Sequence, residues 1–470
     1  MIMILSQIAG DTLSYSNRTG VHPVGAAVLV LVSAFAFLLP RRQAVFPLIV
    51  LVCLIPAGQR VVVVSLDFNF IRLIAIVYWA RLLYRGELRE IRWMALDYAV
   101  LAWVGLGSIV FAMREGDVSA VINRAGYAYE TIGIYFALRA LLKTRADILA
   151  LVSGLALIAI PVSAFFLFEK MTGRNVFAVM GGVPAETLVR EGRRRAQGAF
   201  SHPIMAGSFW AIALILFSSF VLAGKRRTLA VSGCIAALAI VGSTASSTPV
   251  FAVLLGGIGM AFGYARILVR PIRLATPFVL LALHMVMQKP VWHLIARISA
   301  VGGSTGWHRY HLIDAAINNF SEWALLGTSN TAHWGLGLAD VTNQYIVEGV
   351  RGGFITLVAF LVVLTLSFRN VGAALKRFPR RTGDFWIVWS VGASLFAHAL
   401  TFIAVAYFGQ TTVMWLLSLA LSATVCNIYG GRAQTKHSGN TRRGIAGVKA
   451  STLHQTTMQT PPPQQVNCSQ

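Results

Sequence analysis

Apolar residues in this chain fall in long continuous runs, not in short alternating pieces. Clear cases are Val152–Phe168, Met205–Ala223, Pro249–Ala265, Gly353–Phe368 and Val413–Tyr429. A run of about 20 apolar residues spans the hydrocarbon core of a bilayer as a helix. Membrane strands would instead alternate apolar and polar positions over about ten residues. The pattern predicts spans near 23–40, 43–57, 69–85, 95–113, 126–142, 148–168, 203–224, 228–243, 247–266, 274–290, 345–368, 385–407 and 411–430. The first two carry the least pattern, so the total is twelve or thirteen. The expected fold is all-α, a polytopic membrane helix bundle over residues 21–430, with a short N-terminal segment 1–20 and a tail 431–470.

Composition agrees with that reading. Apolar residues make up 56% of the 470, and charged residues only 12%, where a soluble globular chain carries about a quarter. The formal charge of +23 would point to nucleic acid in a soluble protein. Here the basic residues gather in alternate loops: Arg41-Arg42, Arg81 to Arg92, Arg139 to Arg145, Lys225–Arg227, Arg266 to Arg273 and Lys376 to Arg381. Membrane proteins keep Lys and Arg on the cytoplasmic side, so these loops are expected there and no nucleic-acid partner is expected. Arg432, Lys436, Arg442 and Arg443 put the tail on the same side, and its Thr-, Gln- and Pro-rich end predicts disorder. Cys53, Cys234 and Cys426 lie in apolar runs, Cys468 lies in the tail, and no Cys-x-x-Cys occurs. Neither a disulfide framework nor a zinc site is indicated. The N-terminus lacks the pattern of a cleavable signal peptide.

Two long segments then face the other side, the external loops 169–202 and 291–344. The first contains Arg193-Arg194-Arg195, followed by Ser201-His202-Pro203 at the start of a span. These arginines run against the positive-inside bias. Beside a helix N-terminus, which offers unpaired N–H groups and a partial positive charge, guanidiniums form a site for phosphate or pyrophosphate. The plain alternative is contact with anionic headgroups. The second loop holds Trp307, His308, Arg309, His311, Asp314, His333, Trp334 and Asp340. Aromatic faces suit sugar rings, and imidazole or carboxylate can do acid–base work. Tryptophan alone would mark only the interfacial belt. Asp340-Val-Thr-Asn343-Gln-Tyr345 opens the next span, and Glu348 and Arg351 follow three residues apart, close enough to pair within the helix.

Taken in order, these pieces resemble the bacterial O-antigen ligase and O-antigen polymerase group. The matching elements are Arg194/Arg195-Ala-Gln-Gly198 with His202-Pro203, the Ser246-Ser247 turn, Gly306-x-x-Arg309 with Leu326-Gly327, and Thr342-Asn343-Gln-Tyr345 with Gly352-Gly353. The resemblance covers roughly residues 60–430, and the order of the motifs carries it. It departs at one point. The ligase motif has histidine before the Asn, and this chain has Thr342, which favours the polymerase side. The base would then come from Asp340, His311, His308 or His333.

The resemblance implies transfer of a glycan from a polyprenyl-pyrophosphate donor to an acceptor glycan or lipid A–core. Assembly of O-antigen or exopolysaccharide at the bacterial inner membrane would be the setting. Catalytic roles are expected for Arg309, His311 and Asp340. Substrate binding is expected at Arg193, Arg194, Arg195, His202, His308, His333, Asn343 and Arg351. Arginines can neutralise a departing pyrophosphate in a water-poor site, so neither metal nor cofactor is expected. No Asp-x-Asp pair occurs in the sequence. A lipid-linked glycan flippase or other transporter is the alternative, and a non-catalytic assembly scaffold a third. A transporter should carry charge at mid-span, where Arg72 and Glu130 are the main cases. No internal repeat points to an inverted-repeat transporter.

Overall fold

The computed structural model describes residues 19–63, 66–297 and 305–430. The expected N-terminal segment, apart from Thr19 and Gly20, and the expected disordered tail lie outside the described residues. The helix bundle belongs to a unit ending at Gly431.

Each expected apolar run forms a helix. We number them α1 (Pro23–Leu38), α2 (Phe46–Leu54), α3 (Phe70–Tyr84), α4 (Ala95–Glu115), α5 (Val118–Leu141), α6 (Arg145–Thr172), α7 (Pro203–Leu222), α8 (Arg227–Ser243), α9 (Ser247–Ala261) and α10 (Arg266–Val286). After α11 (Thr305–Asn318), a helix within the late loop, come α12 (Gln344–Leu375), α13 (Gly383–Thr401) and α14 (Gln410–Tyr429). Among the described residues, six are long and apolar enough to cross a membrane: α4, α6, α7, α10, α12 and α14. The second expected span differs: α2 has nine residues, about 14 Å at the helical rise, half the hydrocarbon thickness. Two antiparallel ribbons lie among the connections, with short helical turns beside them. One pairs β1 (Arg60–Val63) with β2 (Leu66–Asn69), and the other β3 (Leu188–Arg190) with β4 (Arg193–Arg195).

Helix starts are set locally. Asn69, Asp117, Thr144, Thr382 and Asn343 each cap a helix by accepting a backbone N–H, satisfying donors that the first turn leaves unpaired. Helix α12 breaks at Gly353, where φ is 73°. The carbonyl of Val350 accepts from the Thr328 N–H at 2.8 Å and from Arg114 Nη1 at 2.7 Å. The Phe354 N–H donates to the Ala324 carbonyl at 2.8 Å. A side chain on Gly353 would collide with the Leu325 carbonyl, and one on Gly327 with that of Val350. Leu326-Gly327 and Gly352-Gly353 therefore meet, and the late loop is docked into the kink.

Hydrogen bonds sort the helix ends into two sets. At one end of the bundle the long loops and short connections interlock. Ala196 N–H donates to Ser243 O at 3.1 Å, Gln410 Nε2 to Ala199 O at 2.6 Å, and Gln344 N–H to Phe402 O at 2.9 Å. We call this the loop end. At the opposite end the arginines of the basic clusters act as clamps. Arg81 pairs with Glu87 at 3.0 Å and donates to the carbonyls of Ala36 and Leu39. Arg41 reaches Asp147 at 2.7 Å, and Arg145 reaches Asp384 at 2.7 Å. Arg139 and Asp97 form a buried pair at 2.8 Å that also takes the Tyr135 hydroxyl. Of the two charges expected at mid-span, Arg72 stands instead in the first turn of α3, where its Nε is 3.0 Å from Glu130 in a half-buried pair.

Breaking a buried pair leaves an uncompensated charge and costs about 3–5 kcal/mol. Arg139→Ala should therefore lower the thermal stability of the detergent-solubilised protein sharply, and adding Asp97→Ala should restore part of the loss. Equal loss in the single and double variants would show that Asp97 and Arg139 are not coupled.

Candidate functional site

The three consecutive arginines sit on a ribbon, so their side chains alternate between its faces. β3 and β4 are joined by Glu191-Gly192, with φ of 53° and 72°, the two positive values of a tight hairpin turn that matches strand twist. Arg193, on the face of Arg195 but beside the turn, is exposed. Arg194 turns to the end of α6 and donates to the carbonyls of Lys170 and Met171, where a cation meets the helix's negative end. Arg195 turns inward and is 6% exposed.

The segment after Arg195 is held by a buried carboxylate. Glu169, near the end of α6, accepts the N–H groups of Gln197 at 3.1 Å and Gly198 at 2.8 Å. Asn175 Nδ2 donates to the Gly198 carbonyl at 2.9 Å. Gly198 has φ of 58°, and a Cβ there would collide with the Phe166 ring. So held, Arg195 donates from Nη2 to Ser246 Oγ at 2.5 Å. Its Nε is buried with no hydrogen-bond partner among the described residues.

Ser246 immediately precedes α9. Its hydroxyl donates to the Thr244 carbonyl and accepts from Arg195, so it does not cap the helix. The turn carries Ala245 at φ of 44°, a left-handed conformation costly for a residue with a Cβ. From the late loop, Arg309 Nη2 donates to Thr248 Oγ1 at 2.8 Å, in the first turn of the same helix. Two guanidiniums from two distant loops thus converge on the N-terminus of α9. Neither forms an ion pair among the described residues. Burial pushes both Arg195 and Arg309 below the usual guanidinium range.

His202 caps α7 through Nδ1, which accepts the Ile204 N–H at 3.1 Å. Its pKa is pushed down to about 4, first by burial and then by the charges of Arg195 and Arg190. The ring is neutral at neutral pH, and with Nδ1 accepting, its proton resides on Nε2.

In the late loop, α11 is seated on the start of α12 by a small core of Leu312, Ala316, Leu338, Ile346 and Val350. This packing positions Arg309. On the same helix, burial lowers the His308 pKa while the nearby Asp340 charge opposes that shift. His311 stands edge-on to Trp307, ring centres 4.8 Å apart. His333 is elsewhere, with Nε2 2.8 Å from Glu322, which also takes the Trp334 N–H at 3.0 Å. Asn343 is the cap of α12 and donates from Nδ2 to Ile403 O at 3.0 Å. Arg351 belongs to a cavity between α12, α4, α5 and α14.

The structure therefore joins Arg195 and Arg309 at one helix terminus, with His202 in electrostatic reach of Arg195, and His308, His311 and Asp340 in the loop that delivers Arg309. It does not bring Arg193, Arg194, His333, Asn343 or Arg351 there. Ser246 and Thr248 complete the convergence. The Ser/Thr-rich stretch before Pro249 is a helix-start signal, which could have marked them. Glu169 had only a weak signal, a lone carboxylate at the end of a span.

Two outcomes follow. Gly198→Ala forces a Cβ into Phe166 at a positive φ, so it should displace Arg195. The variant should lose anion binding at the α9 terminus more than it loses thermal stability. For His202, the unfolded chain takes up a proton below about pH 6.5 that the folded chain refuses until about pH 4. Its contribution to stability is thus present at neutral pH and lost as pH falls across that window. His202→Asn keeps a capping oxygen and removes the titration, so its melting temperature should drop less between pH 7 and pH 4. Parallel curves for both proteins would remove His202 as the group.

No protein-family model matches this sequence, and no curated protein matches it.

Proposed function

We propose that this chain is a membrane-embedded glycosyltransferase of the O-antigen polymerase or ligase kind, acting on a polyprenyl-pyrophosphate-linked glycan. The observation that carries the reading is the convergence of Arg195 and Arg309 on the α9 N-terminus, with no ion-pair partner for either among the described residues. Backbone N–H groups, a helix dipole and two forked cations in a half-buried place fit a pyrophosphate better than any other common group. In this reading the bundle spans the bacterial inner membrane with twelve or thirteen helices. The arginine-clamped opposite end faces the cytoplasm, by the positive-inside bias, and the loop end faces outward.

The chemistry is displacement at the anomeric carbon. The acceptor hydroxyl oxygen forms the new bond to that carbon, and the bond from carbon to the pyrophosphate oxygen breaks. The electron pair leaves on the pyrophosphate, where Arg195, Arg309 and the first N–H groups of α9 meet the growing charge. The hydroxyl proton goes to a base on the late loop. We assign His308, which faces Asp340 and is one residue from Arg309, with His311 nearby on the same helix. Polymerase action is favoured over ligase action by Thr342, as the sequence pattern implies.

A flippase would need open charge lining a path; Arg72 and Glu130 are paired with each other, so that pair does not supply it.

The test is reconstitution of the full chain in vesicles with a polyprenyl-pyrophosphate oligosaccharide, followed by product analysis. Chain growth is expected. Arg309→Gln should lower the rate by about 10²-fold, the loss typical of one preorganised donor. Arg195→Lys should lose most activity, because lysine keeps charge without the fork. Translocation without transfer, or full activity in both variants, would overturn the proposal.

A further inference from the structure

A polar cavity lies on the face of α12 turned away from Arg309. Its volume is about 70 Å³, and its walls include Trp103, Arg124, Tyr127, Glu348, Arg351 and Trp415. α11 packs on Ile346 and Val350, while Glu348 and Arg351 line the cavity from the other side of the helix. Glu348 is buried and accepts from Trp103 Nε1 at 2.8 Å and from Gln344 Nε2 at 2.7 Å. Both bonds orient its carboxylate and leave lone pairs for a further donor.

The other wall is cationic. Arg124 and Arg351 lie within electrostatic range of each other and of Glu348, so two positive charges face one negative. The Arg124 guanidinium lies over the Phe111 ring, 3.7 Å from its centre, which fixes its plane. Among the described residues its Nε is buried without a hydrogen-bond partner, and so is Trp415 Nε1, in a side chain 3% exposed. Buried donors of this kind normally have a partner. Here two of them, on different helices, belong to residues lining one cavity.

We infer that this cavity takes the acidic group of a sugar, the ring lying at the mouth beside the exposed Arg351. Arg124 and Arg351 take the oxyanion, Trp415 Nε1 donates to a ring substituent, and Glu348 accepts from a hydroxyl. Tyr127, which is half-buried, supplies flat apolar surface for the C–H face of the ring. The acidic group is a carboxylate in a uronic acid unit or a phosphate ester on the sugar. Both present the same charged oxygens to a guanidinium fork. The site is separate from the α9 terminus, and its binding does not depend on the transfer reaction proposed above.

The experiment is binding to the full chain in nanodiscs, read by saturation-transfer NMR and tryptophan fluorescence. The probes are methyl glucuronide, glucose 1-phosphate, methyl glucoside and inorganic pyrophosphate. At least one acidic sugar should bind about tenfold or more tighter than methyl glucoside, the difference expected for charge-assisted hydrogen bonds. The preferred acidic probe identifies carboxylate or phosphate as the natural group. Arg351→Gln changes an exposed side chain, so the protein should fold and lose that preference. Arg195→Gln should leave it intact while weakening pyrophosphate. Equal binding of the neutral glucoside, no binding of either acidic sugar, or a preference lost in Arg195→Gln but kept in Arg351→Gln would overturn the inference. None of those results would touch the transferase reading, which stands or falls on Arg195 and Arg309.

Discussion

Glu169 fixes the approach of Arg195 to the α9 terminus. A carboxylate buried near the end of a long helix needs hydrogen bonds, because burial without them is expensive. It finds them in two consecutive backbone N–H groups, those of Gln197 and Gly198. Satisfying Glu169 therefore fixes the path of the chain just after Arg195, and that path delivers the guanidinium to Ser246. Arg194, one residue earlier on the ribbon, faces the end of the same helix α6. A single helix end thus anchors the hairpin from both sides, and only one of the three arginines is left to face inward.

The late loop is tied down by a comparable exchange of backbone partners. The break at Gly353 frees a carbonyl and an N–H in the middle of α12. Thr328, Arg114 and Ala324 take them up. Inside a bundle this uptake is what permits non-helical backbone. The consequence reaches Arg309, because the loop that fills the kink also carries α11, and α11 rests on the half of α12 before the kink. The close fit of Gly327 against Val350 and of Gly353 against Leu325 is thus a positioning device for Arg309, 18 and 44 positions away in sequence.

The helices were legible in the sequence because their signal is local. Thirteen apolar runs became thirteen helices, six of them long and apolar enough to cross a membrane, and α2, at nine residues, departs furthest from the expected length. The fate of each arginine was not legible. Arg193, Arg194 and Arg195 form one cluster in sequence, yet a two-residue period sets Arg194 apart from the other two, burial separates exposed Arg193 from buried Arg195, and nothing in the run itself announces a hairpin except Glu191-Gly192. The basic clusters of the opposite end read as a solvated, positive-inside surface. Arg81 and Arg139 instead bond into pairs and helix ends, through partners 42 to 45 residues away in the case of Asp97 and Ala36. Ser246 and Thr248 meet arginines 51 and 61 residues distant. Contacts of that span depend on packing, and no periodicity encodes them.

The two ends of the bundle also differ in how they treat a buried cation. At the opposite end, Arg81 and Arg139 each face a carboxylate within 3.1 Å, and such a closed pair has no remaining attraction for an outside anion. At the α9 terminus the corresponding partners are hydroxyls, Ser246 and Thr248. A hydroxyl orients a guanidinium but leaves its charge uncompensated, and the helix dipole adds to the same sign. A carboxylate placed there would stabilise the empty protein and weaken an incoming phosphate by like-charge repulsion. Serine and threonine therefore hold the arginines in place while keeping their charge available. The desolvation cost of two unpaired cations is offset elsewhere, by Glu169 and by the docked late loop. That division of labour is the arrangement expected of a place meant to receive an anion rather than to bind two helices together.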